Sequence, residues 1–135
     1  MKWLGQLWQS SLSVVKILLQ SKWHTHLPSS FGNPEELLIL ANGPSLSRTV
    51  QEAPEFIKGK TLLAVNFCAT SPMFEQLRPE IYLIADPLFW IVPEKRVQLF
   101  QTLAEKTTWP MNFFVPARAL KNKEWQPMLA GNPNI

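Results

Sequence analysis

The stretch LLILANGPSLS, residues 37–47, runs Leu37-Leu38-Ile39-Leu40-Ala41 straight into Asn42, Gly43 and Pro44. A short, continuous apolar run closed by turn residues reads as a strand buried on both faces of a parallel sheet. Three further runs have the same character: Thr61–Val65, Ile81–Ala85 and Asn112–Val115. Helical patterns alternate with them, over Leu46 to Ile57, briefly near Ser71–Leu77, and over Pro93 to Lys106. Pro54 should end or bend the first helix, and Pro93 suits a first helical turn. Alternating strands and helices predict an α/β domain: a Rossmann-like parallel sheet of about four strands with flanking helices and right-handed crossovers.

The chain has 135 residues, 46% apolar and 17% charged, which fits one globular domain rather than a disordered chain. A domain of that size buries roughly two-thirds of its unfolded surface. The formal net charge is +3 and the sequence pI about 9.2, but the cations are scattered, with no run longer than Lys95-Arg96. A nucleic-acid interface needs a clustered basic patch, so none is expected. Cys68 is the only cysteine, which excludes an intrachain disulfide.

Leu4, Trp8, Leu12, Val15 and Leu19 recur at helical spacing, joined by Leu7 and Leu18, with Gln6, Gln9, Ser13, Lys16 and Gln20 opposite. Residues 1–20 therefore read as an amphipathic helix. Its apolar face can pack on the domain or on a second copy, giving a homo-oligomer. It can instead lie on a membrane surface, with Trp3, Trp8 and Trp23 beside Lys2, Lys16 and Lys22. Lys16 interrupts the apolar run and no small-x-small cleavage site follows, so neither export nor a spanning segment is expected. The location expected is cytoplasmic, peripheral to the inner membrane if the helix binds lipid. Residues 21–35, with Pro28, Gly32 and Pro34, read as a linker, and residues 36–135 as the α/β domain. His24 and His26 lie in that linker with no further histidine to complete a metal site. A sheet of about four strands leaves its edges open, and the final AGNPNI does not read as the close of a fold. The expectation is an incomplete domain, the first half of a larger one or one completed by another chain.

In open α/β sheets, ligands gather beyond the carboxyl ends of the strands. Asn42, Gly43, Pro44 and Ser45 take that place after the first run. Gly43 can adopt positive φ and admit a ligand, Pro44 stiffens the turn, and Ser45 suits an N-cap. The helix start behind them offers free N–H groups to a phosphate. Asn66 follows the second run and Asp86 the third, so the three polar residues should line one rim of a parallel sheet. Each can also be an ordinary turn or Asx cap.

The segments ILANGPSL, AVN and IADPLFW carry a resemblance to the N-terminal half of a Rossmann-like group of enzymes. One branch comprises the bacterial family 42 sialyltransferases, which show Asn-Gly-Pro-Ser-Leu, a later Asn, and Asn-Pro followed by aromatics. The other comprises the motility-associated factor glycosyltransferases and hydroxymethylpterin pyrophosphokinases, with Asp-Pro after the third strand. Asn42 and Phe89-Trp90 are similar to the first branch, Asp86-Pro87 to the second. The resemblance covers roughly residues 36–90 and implies binding of a nucleotide sugar, with a CMP-sugar donor favoured and a glycan acceptor, in surface glycan synthesis. It implies that Asn42, Gly43 and Ser45 hold phosphate and ribose, that Asn66 touches nucleotide or sugar, and that Asp86 accepts from ribose hydroxyls. Under the second branch Asp86 would instead hold Mg²⁺ on ATP for diphosphoryl transfer to a pterin-like alcohol. A non-catalytic remnant that assembles with another chain is the third reading. The family's general-base histidine and phosphate-binding tyrosines belong to its later half. Here the histidines precede the sheet and the only tyrosine, Tyr82, lies inside a predicted strand, so no catalytic residue is assigned.

Cys68 reads as a small core residue, and Phe89 and Trp90 as core packing. Glu94, Lys95, Arg96, Glu105 and Lys106 read as a solvated helix face, and Arg118, Lys121 and Lys123 as solvent-facing cations. Trp109, Phe113 and Phe114 belong with the fourth strand.

Overall fold

The computed structural model describes residues 2–20, 36–121 and 123–135. The linker reading and the histidine pair, within 21–35, lie outside the described residues. The chain divides into two units, Met1–Gly32 and Asn33–Ile135. The first contains α1 (Lys2–Gln20), a helix of 19 residues. Among the described residues no helix is long and apolar enough to cross a membrane.

The second unit holds β1 (Leu37–Leu40), α2 (Pro44–Glu52), β2 (Thr61–Val65), α3 (Phe74–Leu77) and β3 (Ile81–Leu83). It continues with α4 (Leu88–Ile91), α5 (Pro93–Lys106), β4 (Asn112–Phe114) and α6 (Gln126–Leu129). Short 3-10 turns span Pro54–Phe56, Asn66–Thr70 and Ala117–Lys121. The four described strands form one parallel sheet in the order β1-β2-β3-β4. Each crossover advances in the same direction, so right-handed connections put the helices on one face. The order of the described strands never reverses, so this sheet has the rim of a doubly wound fold without its switch-point crevice.

Register decides which residues share a face. Leu40 pairs with Ala64 and Ala64 with Tyr82, which in turn pairs with Phe113. These residues, with Leu62 and Ile84, meet Leu99, Phe100 and Leu103 of α5, Phe74 of α3 and Phe89 of α4 in one core. Leu99, Phe100 and Leu103 are fully buried; burying a side chain of that kind contributes about 1.5–3 kcal/mol. Leu37, Ile39, Leu63, Val65, Ile81 and Leu83 point to the opposite face and none belongs to that core. At the β1 edge of that face, Leu37 and Ile39 are 49% and 62% exposed.

Local chemistry sets the element ends. Pro44 and Pro93 occupy the first turns of α2 and α5, where a missing N–H costs nothing. The helix expected over Leu46 to Ile57 is broken after Glu52, because Pro54 cannot continue the ladder and restarts the chain as a 3-10 turn. The last turn of α5 is closed by Asn132, whose Nδ2 donates to the carbonyls of Ala104 (2.9 Å) and Thr107 (2.8 Å). Met111 N–H donates to the Asn134 carbonyl at 2.8 Å, holding the C-terminal residues beside the start of β4.

Candidate functional site

All four strands point the same way, so their carboxyl ends share one rim. The β1–β2 pairing ends at Leu40 and Ala64, and Asn42 and Asn66 each follow two residues later, in the turns that leave the two strands. The turn after β1 is compact: Gly43 N–H donates to the Ala41 carbonyl (2.9 Å), and Leu46 N–H to the Gly43 carbonyl (3.0 Å). Gly43, not Ser45, is the N-cap of α2, and no side chain caps the helix. The expected serine cap fails because Pro44 has φ fixed at a helical value and starts the helix one residue earlier. Gly43 itself has φ −104° and ψ 155°, an extended conformation open to any residue. Its value is space: a Cβ there would meet only Ser45 Oγ, at 3.5 Å. Asn42 and Ser45 are exposed.

Asn66 and Asp86 are brought together by hydrogen bonds. Asn66 takes φ 52°, the left-handed region, which Asn tolerates better than other side chains. Its Oδ1 accepts from the N–H groups of Ala85 (3.1 Å) and Asp86 (3.0 Å), clamping the end of β2 to that of β3. Asp86 Oδ1 accepts from Leu88 N–H at 2.9 Å, an Asx turn that opens α4. One oxygen of each side chain therefore does structural work, which leaves Asn66 Nδ2 and Asp86 Oδ2 as the groups that can meet a ligand.

Tyr82 is the residue that sequence reasoning left unassigned. It is fully buried on the core face of β3. Its hydroxyl donates to the Asn66 carbonyl and accepts from Ala69 N–H at 3.0 Å. Burial pushes the phenol above its ordinary value, so it stays a neutral donor. The signal was available: a lone tyrosine inside a buried strand needs a partner for its hydroxyl, and the nearest turn supplies one. The buried thiol of Cys68 is likewise pushed up to about 11 by desolvation, which leaves it unreactive at neutral pH.

Arg96, expected on a solvated face, is instead buried and pairs through Nη2 with Glu124 at 2.5 Å. α4 and the C-terminal segment lie against the start of α5 and close over it: Trp90 and Trp125 pack edge-on at 6.3 Å between ring centroids. Phe89 is in the core as expected, stacked obliquely on Phe67. Lys121 and Lys123 are exposed as expected, while the Arg118 side chain lies outside the described residues.

A groove of about 220 Å³ runs along the outer side of β1, lined by Leu40, Ala41, Gly43, Ser45, Leu46 and Thr49 among others. Small-molecule sites commonly occupy about 300–1,000 Å³, so this groove is too small for a whole nucleotide sugar, and Leu38, Ile39, Phe56 and Ile57 complete a mostly apolar lining. Among the described residues no three His, Cys, Asp or Glu side chains gather as a metal site. No protein-family model, curated protein or solved structure matches the chain.

Proposed function

We propose that the carboxyl rim of this sheet is the phosphate-and-ribose portion of a nucleotide-sugar site in a glycosyltransferase-like protein, with a CMP-sugar as donor. The observation that carries the reading is the turn Asn42-Gly43-Pro44-Ser45. It leads into α2 with no side-chain cap, with open space in front of Gly43, at the carboxyl end of a parallel strand. With Pro44 lacking an N–H and Leu46 N–H given to the Gly43 carbonyl, the uncapped first turn offers Ser45 N–H and the positive end of the helix dipole to a phosphate. Asn42 adds an exposed amide that can donate to phosphate or accept from ribose. Asn66 Nδ2 and Asp86 Oδ2 stand further along the rim as one donor and one acceptor for the sugar hydroxyls.

The choice of CMP rests on the resemblance of Asn42 and Phe89-Trp90, within ILANGPSL and IADPLFW, to the sialyltransferases, while Asp86-Pro87 is similar to the other branch. In that chemistry a base deprotonates the acceptor hydroxyl, the oxygen attacks the anomeric carbon, and the donor phosphate departs with the bonding pair. A helix N-terminus facing the departing phosphate would stabilise the charge that develops there. His24 and His26 precede the sheet in sequence, so donor binding is assigned to this rim and the base to no residue. The magnesium-ATP alternative would load the ion on Asp86, whose Oδ1 already accepts from Leu88 N–H.

Calorimetric titration of the chain with CMP, CDP, UDP and ATP, with and without Mg²⁺, tests this. Saturable CMP binding that is metal-independent and at least tenfold weaker in Asn42→Ala is expected. Metal-dependent ATP binding would transfer the assignment to the diphosphokinase reading. A folded chain that binds none of the four would leave the turn as a structural element alone.

A further inference from the structure

Helix α1 carries an apolar surface wider than a single protein contact covers. Taking about 100° per residue, Ile17, Trp3, Val15, Trp8, Leu19 and Leu12 spread over an arc of roughly 220°. These side chains are exposed on both margins of the arc, Ile17 at 60% and Leu12 at 44%. A helix that packs on one sheet or one neighbouring helix needs an apolar stripe of only about 100°. A stripe twice that width suits a medium that wraps the helix from below and from both sides. Ser10 and Ser11 fall inside the arc, and short hydroxyl side chains of this kind are tolerated at a lipid boundary.

The two described tryptophans of α1 are placed symmetrically. Trp3 and Trp8 lie about 70° to either side of the arc's midline, and they are 64% and 69% exposed. Tryptophan concentrates at the headgroup level, where its ring is half in hydrocarbon and its N–H in water. Lys16 lies about 150° from that midline, on the opposite side, and is exposed. Charge decides between lipid surfaces. Residues 1–34 contain Lys2, Lys16 and Lys22 and no acidic residue, the first being Glu35. The segment is thus purely cationic, complementary to an anionic leaflet. No described helix can cross a bilayer, so α1 would lie in the plane of the surface.

We propose that α1 is an interfacial helix that holds the chain on an anionic phospholipid surface, its Trp3–Trp8 shoulders at headgroup depth and Lys16 in water. Apolar burial supplies the binding, and the lysines supply selectivity for anionic lipid.

The test is flotation of the full chain with phosphatidylcholine vesicles carrying phosphatidylserine, against pure phosphatidylcholine. Sedimentation velocity without lipid runs beside it. Expected is binding to the anionic vesicles at least tenfold tighter than to the neutral ones, weakened by salt. Trp8→Glu with Val15→Glu should abolish flotation, and Lys16→Glu should weaken it several-fold while leaving the urea unfolding transition unchanged. Equal binding to both vesicles overturns the assignment of an anionic surface. So does a chain that fails to float, or variants that float like the parent. A chain that self-associates through α1 without floating would show a protein partner in place of a lipid one and overturn the proposal.

Discussion

Removing the Tyr82 hydroxyl deletes one oxygen and strands two backbone groups. In Tyr82→Phe, Ala69 N–H, on a residue with no exposed surface, loses its acceptor. The Asn66 carbonyl loses its donor at the same time. A buried donor left without a partner costs about 1–3 kcal/mol, and the half-buried carbonyl somewhat less. The ring itself keeps its edge-on contact with Phe74 at 5.8 Å, so no cavity term is added. The expected loss is about 2–4 kcal/mol, a large share of the 5–15 kcal/mol typical of a whole domain. For a unit of this size the fall in Tm is roughly 10–25 °C. Urea unfolding followed by circular dichroism measures it. Because the hydroxyl also holds Asn66 in its left-handed conformation, Tyr82→Phe and Asn66→Gly should be non-additive by at least about 0.5 kcal/mol. A loss below about 0.5 kcal/mol, or strict additivity, would refute the idea that Tyr82 props the rim.

Three further outcomes follow from individual residues. Gly43→Ala should leave unfolding free energy within about 1 kcal/mol of the parent, since φ −104° suits alanine and a Cβ meets only Ser45 Oγ at 3.5 Å. The same change should weaken nucleotide binding; a binding curve identical to the parent's would remove Gly43 from the site. Cys68 is held neutral in the folded state, so its contribution is complete below its ordinary value of 9.0 and is lost as pH rises toward about 11. Cys68→Ala should flatten that part of the stability–pH profile, and the native thiol should resist disulfide reagents at pH 8 until the chain unfolds. Glu124→Ala leaves the Arg96 guanidinium buried without its counter-charge, which should cost about 1–3 kcal/mol. Arg96→Met, which removes the buried charge altogether, should cost less by the same urea assay.

The sheet was legible because LLIL and TLLAV are continuous apolar runs. Burial of β1 on both faces was not borne out: the helices cover one face, and on the other Leu37 and Ile39 are 49% and 62% exposed. The bounds of α5 were equally plain, since Pro93 begins it and Lys106 is its last residue. The rim was legible only as positions. That Asn42, Asn66 and Asp86 follow the strand ends could be read from the chain. That Asn66 Oδ1 is taken by two N–H groups of the β3 turn could not, because the bond joins residues 19 and 20 places apart. Ser45 was misplaced as a cap because proline and serine compete for the start of a helix, and the covalent restriction on Pro44 outweighs one hydrogen bond. Arg96 was misread because a charge on a helix looks solvated until something is laid over it, here the segment carrying Glu124 and Trp125. The covering residue lies 28 positions away, beyond any local pattern.

The central claim is that the rim holds a nucleotide through the turn after β1. Amide NMR shifts of the full chain during a CMP titration test it most directly, because they report where the ligand sits as well as whether it binds. The account predicts saturable shifts at Ser45 and Leu46, at Asn66 and at Asp86, all lost in Asn42→Ala. A well-dispersed spectrum in which those amides stay fixed at saturating CMP would contradict it.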